Sequence, residues 1–326
     1  MKRTLIRGPD TVGSFVLATP FFRELRKNCP NDYIVLSVKQ AVFDLAKNCP
    51  YVDKVLLYGK NKFVNIQQFK KEKFDTAFLL SGSFESALIC FLAGIKNRIG
   101  YPHDHRGFLL THKIKEIQKK HYVDYILYIL ESLNYTVLDK TPEVYIDKKI
   151  NNFKYPQIFS YNKPIIGITY ASVANDARYW PKEYVEELVN SLVEKNFAIV
   201  LLGKTNKVYQ IKQTENVIDL VNKTSLSDFV NIVRKLSCYV SVATGGIHIA
   251  SVLGVNTIGL YILGDEFGWS PVGKNVFVIT KKVHCAPCTP HKMKYCRENI
   301  CMKSITPKEV EQQILNFLTK SCIDKQ

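Results

Sequence analysis

A glycine-rich turn before a helix is the first feature of this chain that could do chemistry. "VATGGIHIASVLG" runs from Val242 to Gly254 and places Gly245, Gly246 and His248 after an apolar strand. The N–H groups that open a helix have no partners within it and carry a partial positive charge. Glycine also allows backbone angles and a close ligand approach that a β-carbon forbids. The spacing predicts an anion-binding site, with an ordinary βα turn and a structural histidine as the alternative.

Two more loops contain residue types suited to the same role. In the first half, Arg7–Pro20 ("RGPDTVGSFVLATP") places Gly8, Pro9 and Gly13 in a turn before a helix. In the second half, Thr169–Pro181 ("TYASVANDARYWP") follows the first apolar strand. Ligands of doubly wound α/β folds lie at the carboxyl ends of the parallel strands. We therefore expect these two loops and the glycine-rich turn to open on one cleft.

The elements that would position these loops alternate along the whole chain. Short apolar runs separated by amphipathic stretches are typical of βαβ units with buried parallel strands. The predicted strands are "TLIRG", "YIVLSV", "KVLLYG" and "TAFLLSG" in the first half, and "PIIGITYA", "FAIVLLG", "CYVSVAT", "TIGLYIL" and "VFVIT" in the second. The predicted helices are Phe15–Lys27, Tyr122–Leu133, Lys182–Glu194 and Ser225–Leu236.

A polar stretch near the middle of the chain, Tyr145–Pro164, interrupts this alternation and is predicted to be a linker. The length of 326 residues also favours two domains over one. The pattern therefore predicts an α/β fold of two Rossmann-like domains, residues 1–155 and 156–326, whose parallel sheets face a cleft.

Composition narrows the classes of partner. No apolar run reaches membrane length, and "MKRTLIRG" is too short an apolar run for a signal peptide, which predicts a soluble chain that is not exported. The net charge of +16 indicates anionic partners such as phosphorylated small molecules, anionic lipid or nucleic acid. The basic residues are scattered, and no strand carries paired aromatics with basic flanks. These features favour a lipid or sugar-phosphate surface and exclude nucleic acid.

The nine cysteines fall into two groups. The scattered ones, of which Cys90 and Cys238 lie in apolar runs that predict buried thiols, are Cys29, Cys49, Cys90, Cys238 and Cys322. The clustered ones, with His284 and His291 beside them, are Cys285, Cys288, Cys296 and Cys301. This cluster is a structural zinc site, a pair of disulfides, or a set of thiols in a compact loop. The odd total and the absence of a signal peptide disfavour disulfides. A catalytic metal is excluded because four thiolates would leave no open position.

Six stretches resemble, in order, the motifs of bacterial lipopolysaccharide heptosyltransferases of glycosyltransferase family 9. They are "IRGPDTVGSFVLATP", "SGSFESALICFLAGIKNRIGY" (Ser81–Tyr101), "DHRGFLLTH" (Asp104–His112), "ARYWP", "VATGGIHIASVLG", and "CAPCTPHKMKYC" with "CMKSITPKEV". The resemblance covers nearly the whole chain. It implies a GT-B fold, in which two Rossmann-like domains bind the acceptor and the nucleotide sugar respectively.

The resemblance also implies a reaction. A heptose would pass from ADP-heptose to the phosphorylated inner core of lipopolysaccharide, with inversion at the anomeric carbon and with no cofactor or metal required. The partners would be the nucleotide sugar and an anionic lipopolysaccharide precursor. The enzyme would be cytoplasmic and peripheral at the inner membrane, where its basic surface would meet acceptor phosphates and the anionic leaflet.

The same resemblance assigns donor-binding residues. Backbone N–H groups of Thr244, Gly245 and Gly246 would bind the diphosphate. Arg178 occupies the family's lysine position in "ARYWP" and would pair with phosphate oxygens, with a surface ion pair as the alternative. His248 would either reach the nucleotide or fix the turn from behind.

Other residues are assigned to the acceptor side or to packing. Gly13 belongs to the amino-terminal motif on the acceptor side. Asp104 and Arg106 would face the acceptor or form an internal ion pair. Trp180 and Pro181 would pack the loop and open the next helix.

Two departures from the family bear on catalysis. The family places its presumed general base, an aspartate, where this chain has Ser14, and a serine hydroxyl cannot accept a proton at neutral pH. Asp10 either replaces that base or caps the turn. Ala243 stands where the family has a second aspartate.

Three outcomes of these departures stay open. The enzyme uses a shifted base, it takes a different donor or acceptor, or it binds ligand without turnover as a silent family member. A nucleotide-sugar epimerase or dehydrogenase is excluded, because the first strand lacks the Gly-x-Gly-x-x-Gly fingerprint.

Overall fold

Two separate parallel sheets organise the chain, one in each half of the sequence. The computed structural model describes residues 1–117, 120–145, 154–174, 177–263 and 266–323. The chain divides into two compact units, Met1–Asp147 and Lys148–Gln326. We call them unit 1 and unit 2 and describe each by itself.

The sheet of unit 1 has the strand order of a dinucleotide-binding fold, β3-β2-β1-β4-β5-β6. Its described strands pair in parallel and are β1 (Arg3–Arg7), β2 (Tyr33–Val38), β3 (Lys54–Leu57), β4 (Thr76–Leu79), β5 (Asn97–Gly100) and β6 (His112–Lys113). Its described helices are α1 (Val12–Leu17), α2 (Thr19–Asn28), α3 (Gln40–Ala46), α4 (Lys62–Glu72), α5 (Phe84–Leu92), a 3-10 helix (Arg106–Leu109) and α6 (Tyr122–Glu131).

Unit 2 repeats this topology, with the order β12-β11-β10-β7-β8-β9. Its described strands, also parallel, are β7 (Ile165–Thr169), β8 (Ala198–Leu201), β9 (Val217–Asp219), β10 (Cys238–Val242), β11 (Asn256–Tyr261) and β12 (Val276–Thr280). Its described helices are a 3-10 helix (Pro156–Ser160), α7 (Lys182–Glu194), α8 (Leu226–Val233), α9 (Gly245–Val252), α10 (Glu266–Trp269), α11 (Pro290–Tyr295), α12 (Ile300–Lys303) and α13 (Pro307–Ile323).

Burial of apolar side chains on both faces explains why the central strands form. Every residue of β7 and β10 is buried, as is most of β1. In the second core, Trp180 and Met302 are fully buried among the strand side chains. Full burial of one large apolar side chain contributes about 1.5–3 kcal/mol, so each sheet is stabilised chiefly by its central strands.

The predicted strands are all present, and the predicted α/β class is confirmed. The helix predicted over Phe15–Lys27 is divided at Ala18, because Pro20 follows at the start of α2 and lacks the N–H that a continuous helix would use. The prediction of Lys182–Glu194 matches α7. The helix predicted over Ser225–Leu236 is α8, which begins one residue later because the Ser225 side chain caps it, and which ends three residues earlier, at Val233.

The predicted linker lies partly outside the described residues. Of its described part, Tyr155 is buried, and its hydroxyl donates to the carbonyl oxygen of Lys223 at 2.8 Å. This tyrosine therefore packs with unit 2, although the predicted boundary assigned it to the first domain. The predicted boundary itself stays a prediction.

Candidate functional site

The turn after β1 places a carboxylate at the carboxyl edge of the unit 1 sheet. The Asp10 carboxylate pairs with the Arg7 guanidinium at 2.5 Å and with the Lys39 ammonium at 2.9 Å. The Arg7 side chain is buried and lies over the Tyr58 ring, 3.9 Å from its centroid. Asp10 is 26% exposed, so two cations from different elements hold a carboxylate that solvent or a ligand can still reach.

The other residue of the predicted catalytic pair lies in α1, close to Asp10. The Ser14 hydroxyl oxygen is 2.7 Å from that of Thr11, and the Ser14 side chain lies near the Tyr122 hydroxyl. Burial raises the pKa of Tyr122, the nearby Ser14 side chain opposes that rise, and the negative charge of Asp10 adds to it. Tyr122 therefore lies close enough to Ser14 and Asp10 for both to act on its pKa, and we call these three residues the acceptor-side cluster.

A stack of aromatic rings extends this cluster toward the loop after β5. The rings of Tyr122 and Tyr125 lie 6.3 Å apart, and those of Tyr125 and Tyr101 lie 4.0 Å apart and nearly parallel. The His103 Nε2 atom is 2.5 Å from the Tyr125 hydroxyl. The sequence analysis missed these residues. The sequence feature that could have revealed them is the pair Tyr122 and Tyr125 at the start of a predicted helix, because residues three apart lie on one helix face.

Asp104 and Arg106 bond to different partners, so the ion pair considered from the sequence is not the arrangement found. The Asp104 carboxylate accepts a 2.7 Å bond from the N–H of Phe84, at the start of α5. Arg106 is 1% exposed, and its guanidinium donates to backbone carbonyls at the end of β4 and in the loops after β4 and β5, those of Leu79, Ser81, Ser83 and Tyr101. Burial lowers the pKa of Arg106 to about 10, so it stays charged at neutral pH. Arg106 therefore positions these two loops, and its predicted place on the acceptor side stays a prediction.

The two glycines of the amino-terminal motif lie in different settings. A β-carbon at Gly8 would lie 2.9 Å from Cγ1 of Val38, so the glycine lets the chain leave β1 close against β2. Gly13 is buried inside α1 and does not belong to the turn before it. The prediction that both glycines shape the turn holds only for Gly8.

In unit 2 the predicted strand, turn and helix start are present between β10 and α9. Thr244 precedes the helix in an extended conformation, and its hydroxyl oxygen lies 3.1 Å from that of Ser241. Gly245 begins α9 and is half-buried. Ala243, where the family places an aspartate, is 8% exposed. The helix start lies at the carboxyl edge of its sheet, the position that the sequence analysis predicted for an anion.

Gly246 is required for packing and not for unusual backbone angles. A β-carbon there would lie 2.7 Å from both Cζ of Phe229 and the hydroxyl oxygen of Tyr239. The described glycines with positive φ lie elsewhere, at Gly94, Gly203 and Gly254. Neither Gly245 nor Gly246 is among them, so glycine at position 246 serves close packing and not an unusual backbone angle. The missing side chain lets the helix start lie close to α8 and β10.

His248 is 4% exposed, on the first turn of α9. Its carbonyl oxygen accepts a 3.1 Å bond from the hydroxyl of Ser251. A side chain this deeply buried favours the second of the two predicted roles, in which the histidine fixes the turn from behind.

The loop after β7 carries the predicted phosphate-binding arginine. Ala171 pairs with Tyr179 in an antiparallel bridge, half-buried Arg178 directly precedes Tyr179, and buried Trp180 follows it. The indole N–H of Trp180 donates to the carbonyl oxygen of Ile305 at 2.9 Å, which confirms its packing role.

A second cation, which the sequence analysis missed, lies against the same loop. The Lys207 ammonium is 3.4 Å from the centroid of the Tyr179 ring. The Thr205 hydroxyl donates to the carbonyl oxygen of Ser172 at 3.0 Å and ties the loop after β8 to the loop after β7. The strands β7 and β10 are neighbours, so both loops and the α9 start share one edge of the unit 2 sheet.

The clustered cysteines are free thiols. Cys285 is exposed, Cys288 and Cys296 are half-buried, and Cys301 is buried. Burial raises the pKa of Cys288, with the neighbouring Cys296 and Cys285 adding to the rise. Within the described residues, no group of three or more His, Cys, Asp or Glu side chains is arranged to hold a metal ion. The disulfide interpretation is wrong, and the zinc interpretation gains no support.

The scattered cysteines include two that the sequence predicted to be buried thiols. Cys90 and Cys238 are fully buried, as predicted, and burial raises the pKa of the Cys90 thiol to about 12. The Cys322 side chain lies outside the described residues.

Among the helices of the described chain, none is long and apolar enough to cross a bilayer.

Two doubly wound units, each with polar residues at the carboxyl edge of its parallel sheet, define an α/β protein of the GT-B fold class. The chain belongs to glycosyltransferase family 9 (heptosyltransferase), whose family model matches residues 64–298. It is therefore a glycosyltransferase of the family that serves lipopolysaccharide biosynthesis.

Individual proteins show the same relationship. Lipooligosaccharide heptosyltransferase 2 of Haemophilus influenzae is 23% identical over 79% of this chain and 82% of its own length. The structure of E. coli ADP-heptose LPS heptosyltransferase II has a TM-score of 0.79 at 21% identity, covering 98% of this chain and 99% of that one. The dodecameric iron-containing heptosyltransferase TibC, in complex with ADP-D-beta-D-heptose, has a TM-score of 0.65 at 13% identity, covering 98% and 77%.

Proposed function

We propose that this glycosyltransferase moves a heptose from ADP-heptose to the inner core of lipopolysaccharide. The observation that carries the proposal is the Asp10 carboxylate of the acceptor-side cluster, which stands four residues before Ser14, is held by Arg7 and Lys39, and can replace the carboxylate that the family motif places at position 14. The relatives' names support the choice of donor and acceptor.

Unit 2 is the donor-binding part in this proposal. The N–H groups at the start of α9, from Thr244 to Gly246, bind the diphosphate, since a helix start carries partial positive charge. Arg178 and Lys207, on loops at the same edge, pair with phosphate oxygens. Buried His248 supports the turn.

Unit 1 is the acceptor-binding part. The Asp10 carboxylate takes the proton of the acceptor hydroxyl, while Ser14 and Tyr122 orient that hydroxyl by hydrogen bonds. The pairs with Arg7 and Lys39 fix the carboxylate in place.

The transfer is a single displacement that inverts the anomeric carbon. The acceptor oxygen forms its bond to that carbon as the bond to the diphosphate oxygen breaks, and ADP leaves with the electron pair. The leaving-group charge is stabilised by the helix start and by cationic side chains, so the reaction uses no metal ion at the diphosphate. We place the enzyme in the cytoplasm, at the inner face of the inner membrane.

Calorimetry with ADP, UDP and GDP, followed by ADP-heptose, tests the donor assignment. We expect ADP and ADP-heptose to bind and the other nucleotides to bind at least tenfold more weakly. Preference for another nucleotide would move the donor within the same family. Binding of ADP-heptose with no transfer to any heptose-deficient lipopolysaccharide would favour a silent binding protein, with Ser14 and Ala243 as the cause.

A further inference from the structure

Three of the large apolar side chains that unit 1 exposes lie in the helices after β3 and β5. Phe63 and Val64, in the first turn of α4, are 79% and 59% exposed, and Phe108, in the 3-10 helix, is 74% exposed. Apolar side chains that are this exposed do not belong to the core of unit 1. They are available for contact with a membrane or another protein.

The three side chains belong to one region of the surface. The Lys62 ammonium pairs with the Glu85 carboxylate at 3.0 Å, which joins the start of α4 to the start of α5. The ring of Phe84, the residue before Glu85, lies 6.0 Å from the ring of Phe108. A continuous path of contacts therefore runs from the first turn of α4 to the 3-10 helix.

This region lies at the same edge of the sheet as the acceptor-side cluster. The helix α4 follows β3, α5 follows β4, and the 3-10 helix follows β5. These strands are parallel to β1, so their carboxyl ends share the edge from which the Asp10 loop emerges. Asp104, in the loop before the 3-10 helix, bonds to the start of α5 at this edge.

Lysines surround the apolar side chains. Lys60 and Lys62 are exposed beside Phe63. Exposed Lys113 lies close to Gly107, the residue before Phe108: the Lys113 Cε atom would be 3.9 Å from a β-carbon built on that glycine. Three acidic groups at this edge are bonded: Glu85 to Lys62, Asp104 to a backbone N–H, and Asp10 to Arg7 and Lys39. Apolar side chains that project between lysines match an anionic bilayer, where the rings enter the acyl boundary and the ammonium groups meet lipid phosphates.

We propose that this docking face, made of Phe63, Val64, Phe108, Lys60, Lys62 and Lys113, binds the anionic leaflet of a membrane. The inference rests on the proposed function, in which the acceptor is anchored in that leaflet by its lipid. Docking by this face brings the acceptor-side cluster to the depth of the lipid head groups. The net charge of +16 adds a long-range attraction to the same surface.

Vesicle sedimentation tests the proposal. The probes are vesicles of phosphatidylcholine alone and vesicles of phosphatidylcholine with phosphatidylglycerol. We expect the wild-type chain to sediment with the anionic vesicles and to be released by salt. The double variant Phe63→Ser/Phe108→Ser should bind about tenfold more weakly or worse, because both rings leave the acyl boundary. The matched control is Phe267→Ser, at a phenylalanine of unit 2 that is 77% exposed, and it should sediment like the wild type.

A second measurement separates this proposal from the proposed function. Calorimetric binding of ADP should be the same for the double variant and the wild type, which also shows that the variant is folded. Loss of vesicle binding with retained ADP binding supports the docking face, and wild-type sedimentation by the double variant overturns it. If light scattering shows a wild-type dimer that the double variant lacks, the face is a self-association surface and the membrane proposal is overturned. Failure of ADP binding by the wild type, with intact vesicle binding, rejects the donor assignment alone.

Discussion

The carboxylate of Asp10 lies 2.5 Å from the guanidinium of Arg7, a side chain that is buried at the end of β1. A buried cation at the end of a central strand fixes where the loop after it can place a carboxylate. Lys39, which lies between β2 and α3, forms the second ion pair with the Asp10 carboxylate. The position of the proposed base is therefore set by the sheet and not by the loop alone.

Asp10→Asn should lower kcat for heptose transfer by about 10²–10⁴-fold, because an amide cannot accept the proton of the acceptor hydroxyl. Binding of ADP should not change, since the residue lies in unit 1. Steady-state transfer assays and calorimetry measure the two quantities. The control is Asp44→Asn on the surface of α3, where the carboxylate pairs only with Lys47 among the salt bridges of the described residues. Equal activity of the Asp10 variant and the control would reject Asp10 as the base.

Arg178→Ala should weaken ADP binding by about 10–100-fold, the effect of removing a charge-assisted hydrogen bond to phosphate. Arg178→Lys should recover part of the loss, because lysine keeps the charge and loses the planar fork. Calorimetry measures both variants. Arg234→Ala, at an exposed arginine that ends α8, is the matched control and should bind as the wild type does. Unchanged affinity in Arg178→Ala would exclude this side chain from the diphosphate site.

Gly246→Ala should lower the free energy of unfolding by about 1–3 kcal/mol, because the new methyl group would press on Phe229 and Tyr239. The start of α9 would move away from the sheet, so ADP binding should weaken as well. Urea denaturation and calorimetry measure these effects. Gly268→Ala has open space around its β-carbon and should leave both quantities near the wild-type values. A Gly246 variant of wild-type stability would contradict the packing role.

Glu24 should make stability depend on acid pH. Burial opposes ionisation of this fully buried carboxylate, but bonds from the N–H of Leu138 and from Lys27 outweigh it, so the pKa of Glu24 lies below its ordinary value. A lowered folded-state pKa contributes stability above the unfolded-state pKa, and that stability is lost as the pH falls through the folded-state pKa. Glu24→Gln should reduce the free energy of unfolding by about 1–3 kcal/mol at neutral pH.

The measurement is urea denaturation of both proteins from neutral pH to below pH 4. The difference between them should shrink as the pH falls, since the wild-type carboxylate is then protonated as well. Glu131→Gln, at an exposed carboxylate that ends α6, controls for the loss of one surface charge. A difference that does not vary with pH would show that the carboxylate charge contributes nothing.

The sequence predicted the strands with apolar runs and missed β5, β6 and β9, for a physical reason. "NRIG", "HK" and "VID" bury too few side chains to be recognised alone, and they form strands because a neighbouring strand offers unpaired backbone groups. The βαβ alternation was enough to predict a parallel sheet in each half of the chain, since a parallel strand needs a crossover connection.

The candidate site was predicted less completely than the fold. The strand, turn and helix start around Gly245 followed from local sequence. The contact between Ser14 and Tyr122 joins residues more than a hundred positions apart, so no local pattern could reveal it. The burial of Arg106 was also hidden, because its partners are backbone carbonyls that carry no side-chain signature.

That set of carbonyl bonds to Arg106 has a consequence for protein engineering. One guanidinium clamps the loop after β4 and the loop after β5, so neither can change its length without disturbing the other. A chimera that takes only one of these loops from a relative would leave the buried Arg106 guanidinium without some of its hydrogen-bond acceptors. The two loops and Arg106 therefore depend on one another. A redesign of this part of the proposed acceptor side would have to exchange all three together.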